Sequence, residues 1–171
     1  MYSFIYRLYF YLKRKEKKAK EERKEPAKFL KKFLDRIEWF YNVLVRNWYM
    51  NHPLKRCGLA EKPREQKVVV SLTSYPKRIG TVWLTIETLL RQSVKPDAII
   101  LWLAKTQFEN MDDLPEALLR QRERGLTIRF CEDLRSHKKY YYVMQQYPED
   151  LIILADDDMF YPRDTIKKLL D

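Results

Sequence analysis

Four short apolar runs constrain this chain more than anything else in it. "KVVVSLTS", "AIILWLA", "LTIRFC" and "LIILA" recur from Lys67 onward, each as long as a strand and rich in β-branched residues. Between them lie "TVWLTIETLLRQ", "LPEALLRQRERG" and "HKKYYYVMQQY", whose apolar residues repeat at helical spacing, the second closed by Gly125. Strand, helix, strand in succession brings the second strand back parallel to the first. The alternation therefore predicts an α/β fold over residues 67–171, a mostly parallel sheet with flanking helices. The first, second and fourth runs are too continuously apolar for a solvated face and are expected as buried strands.

Ligands of such sheets bind beyond the carboxyl ends of the strands. After the first run comes "TSYPKR", after the third "EDLRSHKK", and after the fourth "DDDMFYP". Hydroxyls, an aromatic ring, several cations and an acidic cluster thus converge on one edge, a set that suits a metal-bound, phosphate-bearing nucleotide. Asp156, Asp157 and Asp158 repel one another and disfavour a strand, so something positive is expected beside them. In an extended chain Asp156 and Asp158 point the same way, about 6 to 7 Å apart. Two hard carboxylates so placed suit Mg²⁺ or Mn²⁺, or one holds the ion while the other takes a ribose hydroxyl. Asp157 faces away and is expected to orient a neighbour.

The net charge of +10 is unevenly distributed: residues 1–66 hold 18 Lys/Arg against 8 Asp/Glu, and residues 67–171 hold 16 of each. An anionic surface touched only by the N-terminal part is implied. Residues 1–25 open with the aromatic "YSFIYRLYFYL", too short to span a membrane, and continue into "KRKEKKAKEERK". The charges follow the apolar run and no small-residue cleavage site appears, which argues against a signal peptide. Within residues 26–66, Phe29, Leu30, Phe33, Leu34, Ile37, Phe40, Tyr41, Leu44, Val45 and Trp48 recur at steps of three and four, predicting an amphipathic helix, and "GLAEKPREQ" reads as a linker. Tyr and Trp beside Lys and Arg partition into lipid headgroups, so the arm is expected to bind an anionic membrane surface. Packing of the helix on the globular domain or on a second copy is the competing expectation. Nucleic acid is disfavoured, because the aromatics cluster apart from the basic run.

Cys57 and Cys131 show no metal spacing and no disulfide framework, and His52 and His137 are too few for a histidine metal cluster. Reduced thiols in a cytosolic setting are expected, with the chain peripheral at the inner face of the membrane.

"SLTSYPKRIGTVWLTIETLLRQSVKPDAIILWLA" followed by "HKKYYYVMQQYPEDLIILADDDMFYP" resembles the N-terminal, nucleotide-sugar-binding half of a family of bacterial GT-A-fold glycosyltransferases. The Thr-Ser-Tyr-Pro turn, the Lys pair and the Asp triplet carry the resemblance together, over about residues 67–170. It implies a partial, Rossmann-like GT-A fold in which Thr73, Ser74, Tyr75 and Arg78 line the nucleotide pocket, with Asp133 and Asp157 beside it. Lys138 or Lys139 meets diphosphate or nucleotide, Asp158 binds Mn²⁺ or Mg²⁺, and Asp156 binds metal or ribose.

The implied reaction moves a sugar from a nucleotide-sugar donor to a cell-surface glycan or related acceptor. Members of that family continue beyond the Asp motif into an acceptor pocket and, in inverting enzymes, a carboxylate base. A chain ending at Asp171 is therefore expected to be inactive alone, its open sheet completed by another polypeptide or a second copy, and no catalytic residue is assigned. Two alternatives stand beside this: a non-catalytic nucleotide-sugar-binding module or relic, and another metal-dependent phosphoryl or nucleotidyl transferase. The second is weakened by the lack of a Gly-rich phosphate loop, the chain having 3 glycines in all.

Overall fold

The computed structural model describes residues 11, 14, 17, 28–52, 56–62 and 64–171. The chain divides into two compact units, Met1–Pro53 and Leu54–Asp171. Most of the aromatic opening and basic tract lies outside the described residues, as do Pro26 and Pro63.

In the first unit the three- and four-residue spacing forms helix α1, Lys28–Asn51. Leu34 and Val45 are buried on it, while Phe33, Trp39, Phe40 and Met50 are exposed. His52 ends it by stacking on Trp48 at 5.0 Å and placing Nδ1 3.0 Å from the Trp48 carbonyl. Among the described residues no helix is long and apolar enough to cross a membrane.

The second unit is an α/β fold with a four-stranded, all-parallel sheet flanked by helices, Rossmann-like in plan. Its strands are β1 (Val68–Thr73), β2 (Ala98–Ala104), β3 (Leu126–Cys131) and β4 (Leu151–Leu154), in spatial order β3-β2-β1-β4. Helices α2 (Val82–Leu90), α3 (Glu116–Leu119), α4 (Lys138–Gln146) and α5 (Thr165–Leu170) follow β1, β2, β3 and β4 in turn. Side chains alternate across a strand, and here they feed two cores. Val68, Val70 and Leu72 join Val82, Ile86 and Leu89 of α2 and Ile166 of α5; Val69, Ile100 and Trp102 join Val143 of α4. β1 and β2 are central and covered on both faces, which is why their runs are continuously apolar.

The expectation for "LIILA" is corrected. β4 is an edge strand paired only with β1, and Leu151 and Leu154 are 41% and 42% exposed. An apolar run sets what a strand can bury, not how many neighbours it obtains.

Residues read as a linker are part of this unit. Gly58 N–H donates to the Arg124 carbonyl (2.9 Å), Ala60 N–H to the Pro96 carbonyl (2.8 Å), and Arg64 pairs with Asp97 (2.8 Å). A Cβ on Gly58 would meet Leu90 at 2.5 Å, so the close approach requires glycine. Gly125, at φ +115°, is the left-handed residue through which Arg120–Arg124 turns into β3. Beneath them Glu87, buried on α2, is neutralised by Arg91 and Arg124.

Candidate functional site

At the carboxyl ends of β1 and β4 two cations of the chain itself stand beside the Asp triplet. Arg78, in the turn between β1 and α2, places Nη1 2.8 Å from Asp157 and 2.6 Å from Asp158. Lys139, in the first turn of α4, reaches Asp156 at 2.7 Å. The Arg78 guanidinium is held above its ordinary pKa, chiefly by its hydrogen bond to Asp157 and further by the charges of Asp157 and Asp158.

Asp157 is the structural member of the triplet. Its carboxylate is buried, accepting from Ser74 Oγ at 2.7 Å as well as from Arg78, and its carbonyl accepts from Thr85 Oγ1 at 3.0 Å. The expectation that Asp157 orients a neighbour thus has a geometry. The expectation that Asp156 and Asp158 act as an alternating pair does not: the chain turns at Asp157 and Asp158, so these adjacent residues share Arg78 while Asp156 goes to Lys139. Among the described residues no group of three or more His, Cys, Asp or Glu side chains forms a metal cluster. The second carboxylate oxygens of Asp156 and Asp158 nevertheless have no partner among the described residues, and both side chains are open to solvent. Each is a hard oxygen donor on its own, and the fold does not set the two side by side as a ready-made metal pair.

The remaining candidates fall around this point. Thr73 Oγ1 donates to the Trp102 carbonyl (2.8 Å), tying β1 to β2. Tyr75 is exposed, with the Arg78 guanidinium 5.7 Å from its ring centroid. At the end of β3, Asp133 accepts from Lys138 Nζ at 2.6 Å and from the Arg135 N–H at 2.9 Å. Those contacts, the Lys138 bond first, hold the Asp133 carboxyl below the usual aspartate range. Lys138 is almost wholly buried, which makes it a fixed element of the β3–α4 connection instead of a solvated first-turn cation. Its neighbour Lys139 is the more accessible of the pair.

Sequence reasoning missed the residues that hang the acidic loop on α2. Tyr161 N–H donates to Thr88 Oγ1 (3.1 Å), the Asp156 N–H donates to the Tyr161 hydroxyl (2.8 Å), and Gln92 donates to the Pro162 carbonyl (2.8 Å) while accepting from the Ile166 N–H (3.0 Å). Burial raises the Tyr161 phenol pKa and keeps it neutral. The signal was present: Thr85, Thr88 and Gln92 form a polar row at steps of three and four along the helical run.

The arrangement presents two exposed carboxylates, two accessible cations and an aromatic ring on a rigid sheet edge. Comparison with known proteins yields no matching family model, curated protein or solved structure.

Proposed function

We propose that residues 67–171 form the nucleotide-sugar-binding domain of a metal-dependent glycosyltransferase that moves a sugar from a nucleotide-sugar to a cell-surface glycan or related acceptor. The observation that carries this reading is the meeting of Arg78 and Lys139 with Asp156, Asp157 and Asp158 beyond β1 and β4. Such an edge exchanges partners when a metal diphosphate arrives. Asp158 would hold Mn²⁺ or Mg²⁺, with Asp156 on the metal or on ribose, and Arg78 and Lys139 would offer their charge to phosphate oxygens. Either ligand alone strips one member of each pair, so the two bind as a couple. Thr73, Ser74 and Tyr75 shape the nucleotide side, Asp157 holds Arg78, and Asp133 fixes Lys138 behind Lys139. When bound, the divalent ion supplies positive charge to the departing nucleoside diphosphate. Lys139 and Arg78 add to it from fixed positions, which is effective because no reorganisation is needed as charge develops.

Titration calorimetry with a panel of nucleoside diphosphates tests the reading. Binding is expected with Mn²⁺ or Mg²⁺, lost in chelator, and lost in Asp158→Ala; equal affinity with and without metal would overturn it. A non-catalytic nucleotide-sugar-binding module is the second reading. It is favoured by the ion pairs in which Asp133, Asp156, Asp157 and Asp158 already stand. Binding without sugar transfer by the chain would select it.

We also propose that the arm of residues 1–51 attaches the chain peripherally to anionic membrane, on the support of the exposed Phe33, Trp39 and Phe40 on α1 and the N-terminal excess of Lys and Arg. Cosedimentation with phosphatidylserine vesicles should be lost on deleting residues 1–51 and should weaken with salt. Undiminished sedimentation of the shortened chain would refute the attachment.

A further inference from the structure

A second site lies on the flank of the sheet, away from the Asp triplet. Between α4 and the β3 edge runs an open groove of about 940 Å³. Its floor is Trp102 of β2, buried, with Tyr142 stacked on it at 5.3 Å and the Arg129 guanidinium 5.9 Å from its ring centroid. Tyr141 meets Tyr142 edge to face at 5.1 Å and is 45% exposed, and Tyr140 is 37% exposed.

The polar ends of Trp102, Tyr142 and Tyr140 are already occupied, while the Tyr141 hydroxyl has no partner among the described residues. Trp102 Nε1 donates to Ser71 Oγ (3.0 Å), the Tyr142 hydroxyl donates to the Glu132 carbonyl (3.2 Å), and the Tyr140 hydroxyl lies 2.9 Å from His137 Nδ1. Those three rings are therefore fixed in orientation, and Tyr141 offers both a face and a free hydroxyl. Further hydrogen-bonding capacity comes from side chains that have no partner among the described residues: Gln145 and Gln146 of α4, Glu132 beyond β3, and Lys105 beyond β2. The carboxamides both donate and accept, Glu132 accepts, and Lys105 donates.

A matching ligand has a flat apolar face edged by groups that donate and accept. A pyranose ring has this character: its axial C–H bonds present a weakly positive face to the negative face of an aromatic ring, and its hydroxyls are both donors and acceptors. A proline-rich peptide would take the same ring faces and an oligonucleotide would meet Arg129 and Lys105 as well as Glu132, so both are outcomes of the test below; the adjacent carboxamides of Gln145 and Gln146, which donate and accept together, favour the hydroxyl-edged ring. The volume lies near the top of the range of about 300–1,000 Å³ for ligand sites, enough for several linked rings.

We propose that this groove binds an oligosaccharide chain, with Tyr141 as its stacking platform and Gln145, Gln146 and Glu132 as its hydroxyl partners. It shares no residue with the triplet or with Thr73–Arg78, so it stands independently of the nucleotide-sugar reading.

The test uses the full chain and neutral tetrasaccharides of β-linked glucose, mannose and N-acetylglucosamine, read by titration calorimetry and by chemical-shift changes at the Trp102 indole N–H. At least one tetrasaccharide is expected to bind and to shift Trp102. Tyr141→Ala and Gln145→Ala should each weaken binding about tenfold, whereas Arg78→Ala should leave it unchanged. Both groove side chains are exposed, so neither substitution threatens the fold. No binding of any tetrasaccharide, binding insensitive to Tyr141→Ala, or preferential binding of a proline-rich decapeptide or an oligonucleotide in the groove would overturn the proposal. Nucleoside diphosphate binding, measured in the same samples, reports separately on the triplet.

Discussion

β3 and β4 are the two edges of one sheet, and they are built on opposite plans. β3 alternates: Leu126 and Ile128 are buried, whereas Thr127 and Arg129 face solvent. A polar outward row with a charge is the ordinary protection of an unpaired edge. β4 has no such row; its residues are Leu151, Ile152, Ile153 and Leu154, none of them fully buried. Both strands nevertheless end in an aspartate latched by a cation, Asp133 by Lys138 and Asp157 by Arg78. The edges thus differ in the side chains along them and agree in how the chain is fixed where it leaves the sheet. Burial in this unit is governed by strand position.

The largest test contrasts an edge with the centre. Ile100→Ala on β2, where the side chain is essentially buried, should destabilise the chain by about 2–5 kcal/mol through lost transfer energy and the cavity left behind. Leu154→Ala on β4 should cost less than about 1 kcal/mol, because a side chain 42% exposed has less to lose. Urea denaturation measures both, and equal losses would mean that β4 is covered in solution.

A smaller effect separates the two latches. The Asp133 pKa is lowered on folding, so its contribution to stability is complete above the ordinary aspartate value of about 3.9 and is lost as pH falls through the depressed folded value. Stability measured from about pH 5 down to pH 2 should therefore fall less steeply in Asp133→Asn than in the unaltered chain. Identical acid limbs would show that the Lys138 contact contributes nothing and that the β3 end is held by backbone alone.

Much of the second unit was legible because its signals are periodic. The β1 and β2 runs state their burial in the continuity of Val, Ile and Leu, and the helical spacing of α2 and α4 supplies the cover that such strands need. Gly125 marked the turn into β3 through a requirement no other residue meets easily. What escaped was set by tertiary placement. Nothing local in "LIILA" distinguishes an edge from a centre. Nothing in "DDD" shows that the chain turns at Asp157, which is why an extended-strand argument paired Asp156 with Asp158. The burial of Lys138 was hidden as well, since it depends on Asp133 being brought back against the first turn of α4.

The latched edge also bears on how fast an anion is captured. Among its ion pairs Arg78, Lys138 and Lys139 face Asp133, Asp156, Asp157 and Asp158, three cations against four carboxylates, a formal net charge of −1. A surface neutralised in this way projects little field beyond its first layer of water. A nucleotide of the kind proposed would therefore not be drawn from a distance and would arrive by unsteered diffusion. Under the proposed function, selection would come after contact, when carboxylates and cations part, so that residence time and not arrival rate would tell one anion from another.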